Sequence, residues 1–305
     1  MRYPLNQMEF EKKYGTEDAC RELIKQLKWP EGFVCSNCGG NTYWVQTRGR
    51  YTCRGCRYQN YLLSGTLFYR SSKSLMTWFR AIWWVVGQKN GVSALGLQRI
   101  MGLGSYRTAW AWLHKFRRLM VIPGRELLSG EVEVDETFIG GHHEGKRGRG
   151  ALGKILVAVA VELSGKKVGR IRLNIIPDAS SESLTKFITN NVEKGSTIIT
   201  DGWPSYSQVT KKGYAHLIQK QSASVGDDPL PHIHMTASLL KRWLLGTHHG
   251  ATKPSYLAYY LDEYTFRFNR RKSKSRGLLF MRILEQAVLQ GPTYYKKIIS
   301  QLEEA

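Results

Sequence analysis

Acid is in short supply in this sequence. Its 24 Asp+Glu stand against 45 Lys+Arg, a formal net charge of +21 over 305 residues. Such a field repels basic partners and attracts polyanions. Long apolar runs are also missing. No stretch reaches the ~20 apolar residues of a membrane span, and AIWWVVG (Ala81 to Gly87) falls far short. The opening MRYPLNQMEFEKKYG has no apolar segment of the secretory kind. No membrane association is therefore expected, and the cytoplasm is the expected compartment. Cysteine is scarce too, at five residues. In a reducing compartment disulfides do not persist, so these thiols need another use. Internal repeats and low-complexity tracts are absent.

What is present suffices for about two domains. At 42% hydrophobic and 11% aromatic the chain can bury sizeable cores. Its basic residues run along the whole length instead of gathering in a tail. That distribution favours a protein lying along nucleic acid.

Four of the cysteines form two CxxC pairs, CSNC (Cys35, Cys38) and CRGC (Cys53, Cys56), with a strand-like stretch between them. Each pair presents two thiolates from a tight turn, and this spacing predicts a zinc ribbon. Four thiolates leave no open ligand position, so the Zn²⁺ is expected to be structural. Arg48, Arg50, Arg54 and Arg57 decorate the module. Cys20 lies on the apolar stripe of an earlier helix (Leu23, Ile24, Leu27) and reads as a core residue.

Residues 73–122 read as helical. Ser93 and Ser105 are candidate N-caps on either side of a Gly102–Gly104 break, a helix-turn-helix layout. Ala109, Leu113, Phe116 and Met120 form the inner stripe of the second helix. Arg107, His114, Lys115, Arg117 and Arg118 then fall largely outside it, suited to a DNA groove.

From residue 129 the pattern changes. EVEVDETFI alternates, with Val132 and Val134 on one face and Glu131, Glu133 and Asp135 on the other. A long hairpin turns at Ser164-Gly165. A helix capped by Ser180 or Ser181 follows, then a buried strand ending on Asp201. YAHLIQK suggests a short strand, and two helices come after it. This order predicts an α/β, ribonuclease H-like core: an antiparallel meander with parallel additions, in which the first and fourth strands are neighbours. The expected organisation is an N-terminal helical segment (1–32), the zinc ribbon (33–70), the helix-turn-helix-type region (71–124), the catalytic core (125–278) and a C-terminal helical segment (279–305).

Neighbouring first and fourth strands bring Asp135 and Asp201 together. Two carboxylates on one cleft repel unless cations sit between them, and Mg²⁺ or Mn²⁺ would serve. His234 lies on a helix that could line the same cleft. Lys241 follows seven residues later, on the same helical face, and could reach a phosphate as a point charge. His234 has three possible roles: metal ligand, proton carrier, or hydrogen-bond partner of a metal-bound water. His232 and Asp228 are nearby substitutes. Trp203 and Tyr206 could stack a splayed base or pack in the core. HHEGKRGRG (Lys146, Arg147, Arg149) is a phosphate-gripping loop or a solvated hairpin. Arg242, Arg270 and Arg271 are further backbone-binding candidates.

Taken together, CxxC…CxxC, EVDETFIGG, TDGWPSY, SLLKRWLLGTHHGA, YLDEYTFRFNRR and SRGLLF resemble the zinc-ribbon insertion-sequence transposases of bacteria, within the DDE superfamily. The resemblance runs from about Cys35 to Gln290. It implies a transposase that cuts and joins double-stranded DNA at the inverted repeats of its own element, and synapsis of two ends implies at least a dimer on DNA. By position, Asp135 and Asp201 match the family's catalytic aspartates and Lys241 its lysine. His234 occupies the third position, which many members fill with Glu. Imidazole suits Mn²⁺ better than Mg²⁺, so a strong Mn²⁺ preference is expected. A regulator that has lost catalysis, or a nuclease without strand transfer, are the alternatives.

Overall fold

The computed structural model describes residues 3–46, 49–122, 124–140, 154–165, 167–220, 228–248, 254–295 and 298. In chain order come α1 (Gln7–Tyr14), α2 (Glu17–Lys28), β1 (Tyr43–Gln46), β2 (Arg50–Cys53), β3 (Gln59–Tyr61), α3 (Leu75–Gly87), α4 (Ala94–Met101) and α5 (Tyr106–Leu119). Then follow β4 (Glu131–Ile139), β5 (Ile155–Ser164), β6 (Lys167–Ile175), α6 (Ser181–Asn191), β7 (Thr197–Thr200), β8 (Ala215–Ile218), α7 (Pro231–His248), α8 (Pro254–Asn269) and α9 (Arg276–Leu289). The chain divides into two compact units. One holds Met1–Ile122 together with Ser273–Ser300, the other Pro123–Lys272. The C-terminal helix α9 thus folds with the N-terminal helices.

In the first unit the helices begin where the sequence provides caps. Thr16, Ser74, Ser93, Ser105 and Ser275 each accept a hydrogen bond from the backbone N–H three residues on, worth about 1 kcal/mol apiece. Gly102 ends α4 in the left-handed region (φ 59°), which glycine enters without a Cβ penalty. The core is aromatic. Phe280 of α9 packs edge-on against Phe10 and Phe79, and Trp78 stacks on Trp112 with ring centroids 3.5 Å apart. Lys28 at the end of α2 donates to the carbonyls of Tyr61, Leu62 and Ser64 at 3.0, 2.9 and 2.7 Å, fastening that helix to the end of the β1–β3 sheet.

The helix-turn-helix-type pair α4–α5 forms as expected, but the outward basic face of α5 does not. His114 is 0% and Arg117 3% exposed. Lys115 is half-buried, with its ammonium 5.6 Å from the Trp78 ring centroid. The reason is that α5 packs against α4 on one side and α9 on another, so a single inner stripe underestimates how much of the helix is covered.

The second unit is a five-stranded sheet in the order β6-β5-β4-β7-β8. β4, β5 and β6 form the antiparallel meander, while β7 runs parallel to β4 and β8 parallel to β7. Both faces are covered. Val132, Val134 and Ile198 pack with Leu184, Phe187 and Ile188 of α6. Val157, Val159 and Ile199 pack with Ile233 and Leu240 of α7 and Leu257 and Leu261 of α8. Double coverage explains why ILVAVAV in β5 is continuously apolar. The outer edge of β6 is taken up by side chains. Asn269 accepts from Ile171 N (2.7 Å) and donates to Ile171 O (3.2 Å), and Arg271 donates to Gly169 O (3.1 Å) and Val168 O. No described helix is long and apolar enough to cross a membrane.

Candidate active site and zinc ribbon

Two turns carry the four cysteines, and they repeat one geometry. Gly39 N donates to Cys35 O, and Arg57 N to Cys53 O; Cys35 N donates to Gly40 O, and Cys53 N to Tyr58 O. The fourth residue after each first cysteine is left-handed, Gly39 at φ 72° and Arg57 at φ 62°. Glycine fills that left-handed position in the first turn and arginine in the second. The ligand atoms of Cys35, Cys38, Cys53 and Cys56 all lie within 4.8 Å of one another. The Cys35–Cys56 and Cys38–Cys53 sulfur pairs are each 3.6 Å apart. Four thiolates at ~2.3 Å from one tetrahedral ion would sit at about this spacing, so the donor set fits structural zinc. Arg54 and Arg57 lie over the half-exposed Trp44 ring, at 5.6 and 4.6 Å.

In the second unit the parallel register of β4 on β7 pairs Glu133 with Ile199. Two residues on, Asp135, midway along β4 and not at its end as expected, falls beside Asp201, which lies just past the end of β7. Asp135 is 19% exposed at its side chain. Burial pushes its carboxyl up to about 6; the Glu136 backbone N–H opposes this, and the Glu136 and Asp201 carboxylates reinforce it. Asp201 is exposed, and its Oδ1 accepts from Trp203 N at 2.9 Å.

α7 crosses this same face of the sheet. His234 Nε2 is 3.8 Å from Asp135 Oδ2, and its Nδ1 is 2.7 Å from Asp228 Oδ1. Asp228 Oδ1 also accepts from Leu230 N at 3.0 Å, bracing the entry to the helix. Glu133, one of three acids on the polar face of the strand, turns out to be almost fully buried. Its Oε1 is 2.6 Å from His232 Nδ1 and its Oε2 accepts from Ile233 N at 3.0 Å. Both oxygens are thereby used in holding the first turn of α7 on β4. This role was hidden in the sequence, because Glu133 and His232 lie far apart and no local spacing joins them. Lys241 is exposed on the flank of α7 that carries His234. Desolvation first, and the Lys154 ammonium second, lower its pKa. Lys154 is thus a second basic group near Lys241, one without a sequence signal.

Among the described residues, the cysteines are the group of three or more donors drawn together within 4.8 Å. Asp135, Asp201 and His234 share one face but are not closed to that distance. Of the other expected contacts, Tyr206 is fully buried and donates to Glu136 Oε2 at 3.0 Å, so it packs in the core and does not stack a base; Trp203 is 38% exposed. Arg242 and Arg107 are exposed, the latter 4.1 Å from the Tyr295 ring centroid. Arg118 is half-buried. Arg271 spends its guanidinium on the β6 edge, and Arg270 lies against Phe266. Those commitments weaken both as phosphate grips. Lys146, Arg147 and Arg149 lie outside the described residues.

A four-thiolate ribbon in one unit, with a ribonuclease H-like sheet in the other, defines a class: a zinc-ribbon protein with a ribonuclease H-like core. Residues 127–269 match the ISXO2-like transposase domain, and residues 15–59 the transposase zinc-ribbon domain. The chain thus carries two transposase-family domains, a zinc ribbon and an ISXO2-like core. It is 24% identical over 269 residues to an uncharacterized protein in transposable element ISH50 of Halobacterium salinarum (strain ATCC 700922 / JCM 11081 / NRC-1), covering 81% of this chain and 90% of that protein. Among solved structures, a chain of the Mos1 strand transfer complex is similar at 12% identity and a TM-score of 0.26, over 65% of this chain and 78% of that one.

Proposed function

We propose that the chain is a DNA transposase that binds the inverted repeats of its own insertion sequence and catalyses metal-dependent strand cleavage and strand transfer. The observation carrying this reading is the convergence on one face of Asp135, Asp201 and His234, with His234 Nε2 3.8 Å from Asp135 Oδ2. Two carboxylates and an imidazole form a donor set for Mg²⁺ or Mn²⁺. Burial, with the Glu136 and Asp201 carboxylates adding to it, raises the Asp135 carboxyl to about 6, so a divalent cation placed there would favour its charged form. Such ions supply charge neutralisation at phosphorus and acidify the attacking hydroxyl or water. The chain's own part is positioning: Asp135 and Asp201 hold the charge, His234 completes the cleft, and Lys241 with Lys154 offers point charges to the phosphate backbone. The ribbon with its Zn²⁺, and the α4–α5 pair, would engage the element's ends. Pairing two ends calls for two copies on DNA, and the +21 charge suits a nucleoid-bound protein of the cytoplasm.

The test is strand transfer on a labelled duplex carrying the inverted repeat that flanks the gene, in Mg²⁺ and in Mn²⁺. Wild-type protein should give joined products, with Mn²⁺ much the better ion, and Asp201→Asn and His234→Ala should abolish them. Binding without cutting in either ion would replace the transposase reading with that of a regulator. Cut but unjoined strands would leave a nuclease.

A further inference from the structure

The imidazole of His234 sits between two carboxylates that differ in what they can do for it. Asp135 lies on β4, 3.8 Å from Nε2, beyond hydrogen-bond length. Asp228 lies just before α7, 2.7 Å from Nδ1. A neutral imidazole has one N–H donor and one lone-pair acceptor, and the partner of the first nitrogen decides which is which. A carboxylate can only accept. The short contact therefore puts the proton of a neutral ring on Nδ1, pointing at Asp228, and leaves the lone pair on Nε2, facing Asp135.

We propose that Asp228 is a positioning residue of this site: it locks His234 into the Nδ1–H tautomer and aims the Nε2 lone pair at the cleft. Two independent anchors support the arrangement. Asp228 is itself held, because the same Oδ1 accepts from Leu230 N at 3.0 Å. The helix turn carrying His234 is held as well, because Glu133 accepts from Ile233 N at 3.0 Å and contacts His232 Nδ1 at 2.6 Å. Neighbouring histidines of one helix turn thus each meet an acid through Nδ1, but to different ends. Glu133 is buried and ties the backbone down. Asp228 is 39% exposed at its side chain and serves the ring. An imidazole so oriented presents the unprotonated nitrogen that a metal ligand or a proton acceptor requires. The inference rests on the reading of His234 as part of the active site, but its geometry can be measured without any reaction.

The measurement is a long-range ¹H–¹⁵N correlation spectrum of the full chain with ¹⁵N-labelled histidine, metal-free, near pH 8. The signals of His234 are identified by their loss in His234→Gln. Wild-type protein should show a protonated Nδ1 and an unprotonated Nε2. Asp228→Ala should release the ring to the Nε2–H form or a mixture. Asp228→Asn, whose amide oxygen still accepts from both Nδ1 and Leu230 N, should restore the wild-type pattern. A wild-type His234 protonated at Nε2 overturns the proposal with no variant needed. A folded Asp228→Ala protein with an unchanged tautomer overturns it too. In the joining assay, Asp228→Ala should raise the Mn²⁺ concentration at half-maximal rate by about 10-fold or more, and Asp228→Asn should bring it back towards wild type. If wild-type protein joins no DNA, the transposase reading falls, while the spectrum still decides the role of Asp228.

Discussion

Removing Glu133 tests how the active-site helix is held. The side chain is 3% exposed, and its two oxygens meet His232 Nδ1 and the Ile233 amide of α7. Truncation to alanine deletes both hydrogen bonds at once. Bonds to a charged acceptor are worth about 1.5–3 kcal/mol each, and a buried donor left unmatched adds a desolvation cost. Losing both bonds should therefore cost about 3–5 kcal/mol. Glu133→Gln fills the same volume and keeps an oxygen for Ile233 N, so its cost should be about 1–2 kcal/mol. Two readouts separate these values. Urea unfolding followed by far-ultraviolet circular dichroism gives the global loss. Amide hydrogen exchange at Ile233 and His234 gives the local one, and an opening free energy lower by about 2 kcal/mol speeds exchange roughly 30-fold. Protection should collapse at the first turn of α7 in Glu133→Ala while Leu240 and Leu244 keep theirs. An alanine variant within about 1 kcal/mol of wild type would refute the reasoning, as would a glutamine variant no better than alanine.

Other perturbations have equally definite expectations. The Asp135 carboxyl titrates at about 6 in the fold against an ordinary 3.8. The folded chain therefore binds this proton more tightly, and metal-free stability falls as the pH rises through that window. Asp135→Asn should then be the more stable protein at pH 8 in chelator, by up to about 3 kcal/mol, with the gap closing below about pH 4 in paired urea melts. Metal analysis should find one zinc per chain. Cys38→Ser or chelation at low pH should release it and unprotect β1 to β3 in hydrogen exchange. Lys28→Met strips the donor from three carbonyls, and should lower the stability of the first unit by about 1–3 kcal/mol in thermal melts.

The sequence made legible whatever local pattern controls. Serine and threonine caps, the two CxxC turns, the alternation of β4 and the doubly buried β5 each leave a mark within a few residues. The pairing of Asp135 with Asp201 was legible for a different reason: the order of elements admits few sheets, and this one makes β4 and β7 neighbours. Contacts between distant, chemically ordinary residues were not legible. Glu133 looked like any acid on a polar strand face, and only the fold shows His232 closing over it. His114 and Arg117 of α5 were misjudged because helical periodicity reports one buried stripe, whereas this helix packs against both α4 and α9, the latter supplied from the far end of the chain. Arg271 looked free to bind phosphate and is spent on backbone carbonyls of β6.

Those carbonyls have one more consequence. A sheet offers two borders at which a foreign strand can add. At β6, Asn269 satisfies both the donor and the acceptor of Ile171, as a neighbouring peptide unit would, and Arg271 occupies the acceptors that come before it. The end of α8 and the residues after it therefore imitate a strand along Val168 to Ile171, and that part of the border is occupied without being lengthened. β8 is the opposite border, and it presents Leu217 and Ile218 at 46% and 48% exposure. Among the described residues, β8 is the border where a recruited strand would find exposed apolar side chains.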